Sequence, residues 1–201
     1  MVPVLLVVAG YVLGSMPWGL WLVRIFRGQD IRTQGSGNIG ATNVWRVHGR
    51  RLGLPAVFLD TAKGFVPAFV ATKLESHGIG VLAGGAAMLG HYRPLFLRFR
   101  KGGKMVATAG GAFLGVAPIV GGIAAAVWLV VFGLTRYASV ASVTAALSLP
   151  VWVWLIGYPW PVMAFAGVAA VGVLLLHRAN LGRLWRGEEH RFAWPSRAAS
   201  L

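Results

Sequence analysis

Thirty consecutive uncharged residues, MVATAGGAFLGVAPIVGGIAAAVWLVVFGL at positions 105–134, decide how the rest of this chain is arranged. The stretch is longer than the roughly 20 apolar residues that one helix needs to cross a bilayer. Pro118 lies near its middle and is followed by Gly121 and Gly122, and both residue types disfavour a continuous helix. The stretch is therefore either one kinked helix or two shorter helices that fold back on each other.

Five further segments are apolar enough to cross a membrane, and we predict spans at residues 2–23, 52–72, 78–97, 138–156 and 161–176. No basic residue precedes the first of them, which distinguishes it from a cleavable signal peptide. The composition agrees, because 57% of the residues are hydrophobic and only 12% are charged, whereas about a quarter are charged in soluble domains. The mean hydropathy is +0.69.

The basic residues decide between the two arrangements. The chain has 19 Lys and Arg against 5 Asp and Glu, and all the basic residues except Lys63 and Lys73 fall in four clusters: Arg24, Arg27, Arg32, Arg46, Arg50 and Arg51; Arg93, Arg98, Arg100, Lys101 and Lys104; Arg136; and Arg178, Arg183, Arg186, Arg191 and Arg197. If residues 105–134 fold back, all four clusters lie on one side of the membrane, which is the cytoplasmic side.

We therefore predict an all-α integral membrane protein with seven transmembrane helices, some of them short. Its N-terminus lies outside and its C-terminus lies in the cytoplasm. Residues 1–201 form one domain. The basic residues are explained by topology and by anion binding, so no nucleic-acid partner is expected.

The first cytoplasmic segment, QGSGNIGATNVWR at positions 34–46, has the composition of an anion site. Glycine lets backbone N–H groups face an anion, and the arginine fork matches phosphate. The candidate phosphate-binding residues are Ser36, Gly37, Asn38, Thr42, Asn43 and Arg46. A flexible linker is the alternative. The segment is not a P-loop, because no Gly-Lys-Ser/Thr follows at the required spacing.

A second candidate anion site lies at Gly102-Gly103-Lys104, just after His91 and at the predicted start of the next helix. The N-terminus of a helix carries unpaired N–H groups and the positive end of the helix dipole. The alternative is a basic cluster that only fixes topology, which accounts for the arginines but not for the paired glycines.

Two more segments reach the same side of the membrane. Ser139 and Ser142 are three residues apart and share one helix face, although a serine in a membrane helix often bonds its own backbone. His177 and Asn180 follow the last span. Within the second span, Asp60 and Lys63 are expected to pair, because charges at that depth are costly when unpaired; Lys63 could instead turn toward the cytoplasmic site.

The residue inventory excludes several classes of protein. There is no cysteine, and only five carboxylates are present, so we expect neither disulfides nor a metal site nor a proton-transport pathway. No cofactor is predicted. Two hypotheses remain: a transferase that joins an anionic small molecule to a lipid-phase substrate, and a transporter or channel for a phosphorylated solute. Both glycine-rich segments face the same side, which disfavours transport.

The motifs together resemble the bacterial glycerol-3-phosphate acyltransferases that use acyl phosphate, the PlsY family. The resemblance extends from the first helix to Arg186 and rests on GSGN through ATNV at 35–44, LDTAKG at 59–64, Gly90-His91 with Pro94, GGK at 102–104 with VAT at 106–108, Arg136-Tyr137 with residues 139–142, and His177-Arg178 with Asn180. There are departures: Met105 stands where the family usually has Gly, one additional residue precedes Gly102, and Ala179 replaces a common Glu.

The resemblance implies transfer of a fatty acyl group from acyl phosphate to the 1-hydroxyl of sn-glycerol 3-phosphate. The products are 1-acylglycerol 3-phosphate (lysophosphatidate) and phosphate, the first step of phospholipid synthesis. It implies a bacterial plasma (inner) membrane enzyme whose active site faces the cytoplasm and whose surroundings are membrane lipid. We expect a monomer.

The resemblance also assigns roles to residues. Lys104, His177 and Ser142 are the predicted catalytic residues. The predicted substrate-binding residues are the six of the first segment together with Lys63, His91, Gly102, Gly103 and Asn180. Because ordinary protein bases are scarce, we predict that the phosphate of the acyl phosphate takes the proton from the acceptor hydroxyl.

Overall fold

The computed structural model describes residues 1–192, so Arg197 of the last basic cluster lies outside the described residues. Over that range the chain is helical, and its α-helices are α1 (Val2–Gly14), α2 (Trp18–Arg27), α3 (Ala41–His48), α4 (Arg50–Leu74), α5 (His77–Tyr92), α6 (Val106–Val116), α7 (Pro118–Thr135), α8 (Ala138–Ile156), α9 (Trp160–Leu176) and α10 (Arg178–Trp185). Short 3₁₀ turns lie at Ile31–Thr33 and Leu95–Leu97.

Four helical segments in the described part of the chain are long and apolar enough to cross a membrane: Val2–Arg27, Arg50–Leu74, Pro118–Thr135 and Ala138–Ile156. A fifth is added if α9 and α10, which meet at a bend of 52°, count as one span. The helices α5 and α6 are shorter, with 16 and 11 residues. The protein is therefore a helical membrane protein that combines long and short helices.

The structure refines three parts of the prediction, for identifiable reasons. The segment 2–23 is broken between α1 and α2, where Pro17 has no N–H to continue the helix. The segment 78–97 is helical only to Tyr92, because Arg93 precedes Pro94 and leaves the helical region, with φ −126° and ψ 74°. The first cytoplasmic segment is not all loop, since α3 begins at Ala41.

The predicted turn at Pro118 is confirmed. Ala117 alone separates α6 from α7, and Pro118 takes the first position of α7, where a missing N–H costs nothing. Lys104, ahead of α6, bonds Asn180; Asn180 bonds Glu189, and Glu189 bonds Ser139 at the start of α8. Since α6 and α8 start at the same end of the bundle, α7 must return from the far end.

Glycines bring α4 and α6 into backbone contact. A Cβ atom on Gly111 would lie 2.9 Å from the Phe65 nitrogen, and one on Gly115 would lie 2.7 Å from the Phe69 nitrogen. The contacts advance along both helices in the same direction, so α4 and α6 run parallel. Such close approach is how helices associate in lipid, where apolar burial gives no net advantage. This contact fixes the start of α6.

We expect Gly111→Ala to destabilise the protein and Gly110→Ala to leave it nearly unchanged. The added methyl at 111 collides with the backbone of α4, whereas nothing lies within 4 Å of a Cβ at 110. Overpacking of this kind costs about 1–3 kcal/mol. Thermal unfolding of the detergent-solubilised variants measures the difference, and equal midpoints would contradict the packing of α4 on α6.

Candidate active site

The segment that carries Lys104 lies ahead of α6 and is held by backbone hydrogen bonds. The Gly102 amide donates to the Tyr92 carbonyl at 2.9 Å, and the Gly103 amide donates to the His91 carbonyl at 3.0 Å. The helix itself begins only at Val106, after the Gly102-Gly103-Lys104 segment that was predicted to open it. Lys104 therefore projects from a pinned loop, not from the first turn of the helix.

Both glycines are required by their surroundings. A Cβ on Gly103 would overlap the ring of His91, whose Cε1 atom would be 2.5 Å away, and one on Gly102 would lie 2.8 Å from Pro94. His91 is only 4% exposed. The structure thus places His91 behind the loop, as a support for Gly103.

Met105, which departs from the family pattern, caps α6 in the left-handed region with φ 65°. This conformation favours glycine, so the backbone there is strained. The Met105 side chain is buried in the main core cluster, and its Cε atom would lie 3.5 Å from a Cβ on Gly172 of α9. The side chain packs away into the core.

A hydrogen-bonded network joins Lys104 to α8, α10 and the segment after α10. The Lys104 ammonium donates to Asn180 Oδ1 at 2.5 Å, and Asn180 Nδ2 donates to Glu189 Oε1 at 2.6 Å. Glu189 also accepts from Ser139 Oγ at 2.9 Å and from Arg183 Nε at 2.9 Å. The cluster of Lys104, Ser139, Asn180, Arg183 and Glu189 is called the Lys104 network below.

Glu189 reaches this network because the chain turns back after α10. Gly187 adopts φ 71°, and the Glu188 amide donates to the Arg183 carbonyl at 2.8 Å. Further on, the Phe192 amide donates to the Arg136 carbonyl at 2.9 Å. The turn brings a carboxylate to a site where the sequence had indicated none.

Arg46 approaches the same cluster from α3. Its guanidinium lies 5.1 Å from the centre of the Phe192 ring, and Glu189 and Arg183 are close enough to interact with it electrostatically. Its Nε atom is buried and has no hydrogen-bond partner among the described residues. An arginine donor in this state is available to an anionic ligand.

Burial shifts the pKa values of the ionisable groups at the site. It lowers the pKa of Lys104 to about 8, since desolvation disfavours the ammonium ion more than the nearby Glu189 carboxylate favours it. Burial likewise lowers the pKa of Arg46. Burial opposes ionisation of Glu189, but its bonds from Asn180 and Ser139 and the Arg183 charge outweigh this and lower the pKa of that carboxyl.

His177 and Ser142 are both buried and already bonded. His177 Nδ1 lies 2.8 Å from the Val173 carbonyl, which can only accept, so in the neutral ring Nδ1 carries the hydrogen and Nε2 keeps its lone pair. Ser142 Oγ donates to its own helix at Ala138 at 2.6 Å and accepts from Trp128 at 3.1 Å. Of the two serines on this face, Ser139 joins the Lys104 network.

Asn43 organises the first cytoplasmic segment from within. Its Oδ1 accepts from the Ser36 amide at 2.9 Å, and its Nδ2 donates to the carbonyls of Gln34 at 3.0 Å and Asn38 at 2.9 Å. Ser36 and Gly37 are exposed, and Asn38 and Thr42 are half-buried. Asn43 therefore shapes the loop, while Ser36 and Gly37 remain accessible.

Lys63 pairs with Asp60, as expected of that carboxylate. The Nζ–Oδ1 distance is 2.8 Å, and Lys63 also donates to the Met16 carbonyl at 2.8 Å. Lys63 is thus turned toward the break between α1 and α2.

Of the predicted site residues, Lys104 and Asn180 are in contact, and Arg46 lies nearby. Sequence reasoning missed Glu189 and Arg183. The spacing of Asn180 and Arg183, three residues apart in one helix, was an available signal for the arginine; Glu189 had none. In residues 1–192 no three His, Asp or Glu side chains are placed to hold one metal ion.

Comparisons with known proteins agree on one family. The family model described as glycerol-3-phosphate acyltransferase matches residues 4–187. A curated relative called glycerol-3-phosphate acyltransferase, from Aquifex aeolicus, is 44% identical over 191 residues, which cover 93% of this chain and 97% of the relative. One of the same name from Desulforudis audaxviator is 43% identical over 191 residues, covering 95% and 96%.

Two solved structures are also similar. A crystal structure of PlsY, described as an integral membrane glycerol 3-phosphate acyltransferase in its glycerol 3-phosphate form, aligns with a TM-score of 0.92 and 41% identity over 96% of each chain. The lysophosphatidic acid form of PlsY aligns with a TM-score of 0.89 and 39% identity, also over 96% of each chain.

We expect the activity of this site to depend on a charged Lys104. Lys104→Ala should lower turnover by about 10²–10³-fold, the usual loss for one electrostatic contact to a reacting group. Because the pKa of Lys104 is lowered to about 8, kcat/KM of the unmodified protein should fall as the pH rises through about 8.

Two variants sharpen this test. Lys104→Arg keeps its charge at every accessible pH, so its alkaline limb should move above that of the unmodified protein. Lys101→Ala removes an exposed charge from the same loop and should retain most activity. A drop of less than tenfold in Lys104→Ala would count against a direct role.

Proposed function

We propose, from the premise that this chain belongs to the glycerol-3-phosphate acyltransferase family, that it transfers a fatty acyl group from an acyl phosphate to sn-glycerol 3-phosphate. The 1-hydroxyl is the acceptor, and lysophosphatidate and phosphate are the products. The names of the relatives support the acceptor and the reaction. The acyl phosphate donor is supported by the chemistry of the site.

The observation that carries this proposal is the group of partly desolvated cations around one carboxylate. Arg46, Lys104 and Arg183 approach Glu189, so the group holds two more positive than negative charges. Each substrate contributes a phosphate, and the two phosphates repel each other. Cations with low solvation and fixed positions oppose that repulsion at little reorganisation cost.

The reaction needs no covalent enzyme intermediate, because acyl phosphate is already an activated mixed anhydride. The acceptor oxygen attacks the acyl carbonyl carbon, the new ester C–O bond forms, and the bond from that carbon to the phosphate oxygen breaks. Holding the two substrates in line supplies most of the acceleration in such reactions. We assign Lys104, His177 and Ser142 to the reacting groups.

We assign the remaining predicted residues to substrate binding or to its support. Arg46, Ser36, Gly37, Asn38, Thr42 and Asn180 contact the phosphates or glycerol, and Asn43, His91, Lys63, Gly102 and Gly103 hold the segments that do. The internal bonds of Asn43 and the burial of His91 support this division.

The proton of the acceptor passes to the departing phosphate, which then leaves as hydrogen phosphate. Glu189 is a poor alternative base, because three donors already occupy its oxygens. His177 Nε2 remains as an acceptor that orients the hydroxyl. The scarcity of free bases at a site rich in donors supports the role of the substrate phosphate.

We also propose that the chain is one monomeric domain with seven transmembrane helices in the bacterial plasma membrane. The N-terminus lies outside, and the C-terminus and the active site face the cytoplasm. The basic residues near the site support this orientation. With 11 residues against 18, α6 is about 10 Å shorter than α7. This difference supports a Lys104 loop that is recessed toward the lipid, where it would meet a donor whose chain stays in the membrane.

The decisive experiment supplies glycerol 3-phosphate with either acyl phosphate or acyl-CoA to the purified protein in lipid. We expect lysophosphatidate only from acyl phosphate. His177→Asn, which retains a hydrogen-bonding group but cannot act as a base, should keep a measurable rate. Complete loss that added imidazole restores would show instead that histidine is the base.

The same vesicles test the transport hypothesis. Glycerol 3-phosphate that enters sealed proteoliposomes without being acylated would support a transporter. Lysophosphatidate formation without solute uptake would exclude it.

The orientation is tested by single cysteines, since the chain has none of its own. Cysteines at the exposed positions Ser76, Lys101 and Glu188 should react differently with a membrane-impermeant thiol reagent. We expect position 76 to label from outside in intact cells, and positions 101 and 188 only after permeabilisation. Labelling of all three from one side would contradict the proposed topology.

A further inference from the structure

Asp60 and Lys63 form an ion pair inside the helix bundle that the proposed chemistry does not use directly. Their side chains are 2% and 3% exposed, and the Nζ–Oδ1 distance is 2.8 Å. A buried pair of this kind seldom adds stability, because desolvation of the two ions offsets their attraction. In a membrane the cost of burying them is higher still. The pair therefore calls for an explanation other than stability.

The two residues of the pair contact different parts of the protein. Lys63 donates to the Met16 carbonyl in the break between α1 and α2, at 2.8 Å. Asp60 Oδ1 faces His91 Nδ1 at 3.7 Å, which is too long for a hydrogen bond but close enough for the carboxylate to favour one ring orientation. His91 Nδ1 has no hydrogen-bond partner within residues 1–192.

The opposite side of the His91 ring contacts the active-site loop. Its atoms fill the space that a side chain at Gly103 would need, and the His91 carbonyl accepts the Gly103 amide at 3.0 Å. Any change in the position of His91 is thus transmitted to the residue directly before Lys104. A continuous chain of contacts runs from the α1–α2 break through α4 and α5 to that loop.

We propose that the Asp60–Lys63 pair is a positioning device for the active site, which sets His91 and through it the loop of residues 102–104. The pair touches no substrate. It fixes where α1, α4 and α5 meet, and this fixes the base on which Gly103 rests. This inference rests on the proposed role of Lys104, but its geometric part is independent of the reaction.

Paired variants separate positioning from stability. Asp60→Leu alone leaves an unpaired lysine in the bundle and should lower the thermal midpoint strongly, since removing one partner of a buried pair leaves an uncompensated charge. Asp60→Leu combined with Lys63→Met removes both charges and should restore thermal stability. Asp60→Asn combined with Lys63→Gln is a polar second choice of nearly the same shape, to be used if the apolar pair does not fold.

The first measurement is hydrogen exchange of the Gly102 and Gly103 amides, followed in peptides that span residues 100–105. We expect at least tenfold faster exchange in the folded double variant, with peptides from α7 unchanged. Asp30→Asn with Arg32→Gln, which removes an exposed ion pair, is the control and should leave loop exchange unaltered. Unchanged loop exchange in the folded Asp60/Lys63 double variant would overturn the proposal.

The second measurement is the rate. In the stable double variant kcat/KM should fall about 10–100-fold, because a small misplacement of a reacting group is costly to the rate. Its alkaline limb should move above pH 8, because a looser loop exposes Lys104 to water. Full recovery of rate together with stability would show a merely structural pair. If the unmodified protein made no lysophosphatidate, the proposed function would fail, while the exchange result would still decide the role of the pair.

Discussion

The close contact between the backbones of α4 and α6 is the constraint on which the site depends. Apolar surface offers no advantage to helix association in lipid, so the two helices approach through positions without side chains. Gly64 meets the carbonyl of Thr108, and Gly111 meets that of Thr61. These contacts determine the position of α6 and therefore where the preceding loop presents Lys104. They also place α4 so that Asp60 lies 3.7 Å from His91 of α5.

Electrostatic interactions at the site are strong because water is partly excluded from the charged groups. Burial lowers the pKa of Lys104 to about 8, because removal of water raises the free energy of the ammonium ion relative to that of the neutral amine. Glu189 offsets part of this cost, and Asn180 connects the two without neutralising the lysine. An arriving phosphate dianion meets donors that need little reorientation, which is the condition for selective stabilisation of a transition state.

Sequence patterns predicted the parts of the structure that depend on local chemistry. The turn at Pro118 followed from the position of the proline and from the grouping of basic residues, and the bounds of α8 match the predicted 138–156. The helix break before Pro17 was missed because the apolar run continues across it, and hydropathy does not register a lost N–H. The pairing of Asp60 with Lys63 was predicted because unpaired charge at that depth is too costly.

Glu189 could not have been predicted in this way. Its partners Ser139 and Asn180 lie on different helices, and only a glycine turn after α10 brings it to them. Nothing in the local pattern of a basic, polar segment distinguishes an inward carboxylate from a solvated one.

The segment after α10 folds back onto the bundle, so the order of synthesis determines when the Lys104 network can form. Synthesis proceeds from the N-terminus, so α1 to α9 emerge from the ribosome before Glu189 does. Until then Asn180 and Ser139 lack their shared acceptor, and Arg183 lacks its counter-ion. A nascent or prematurely ended chain can therefore hold helices α1 to α9 and still lack the carboxylate that joins Ser139, Asn180 and Arg183.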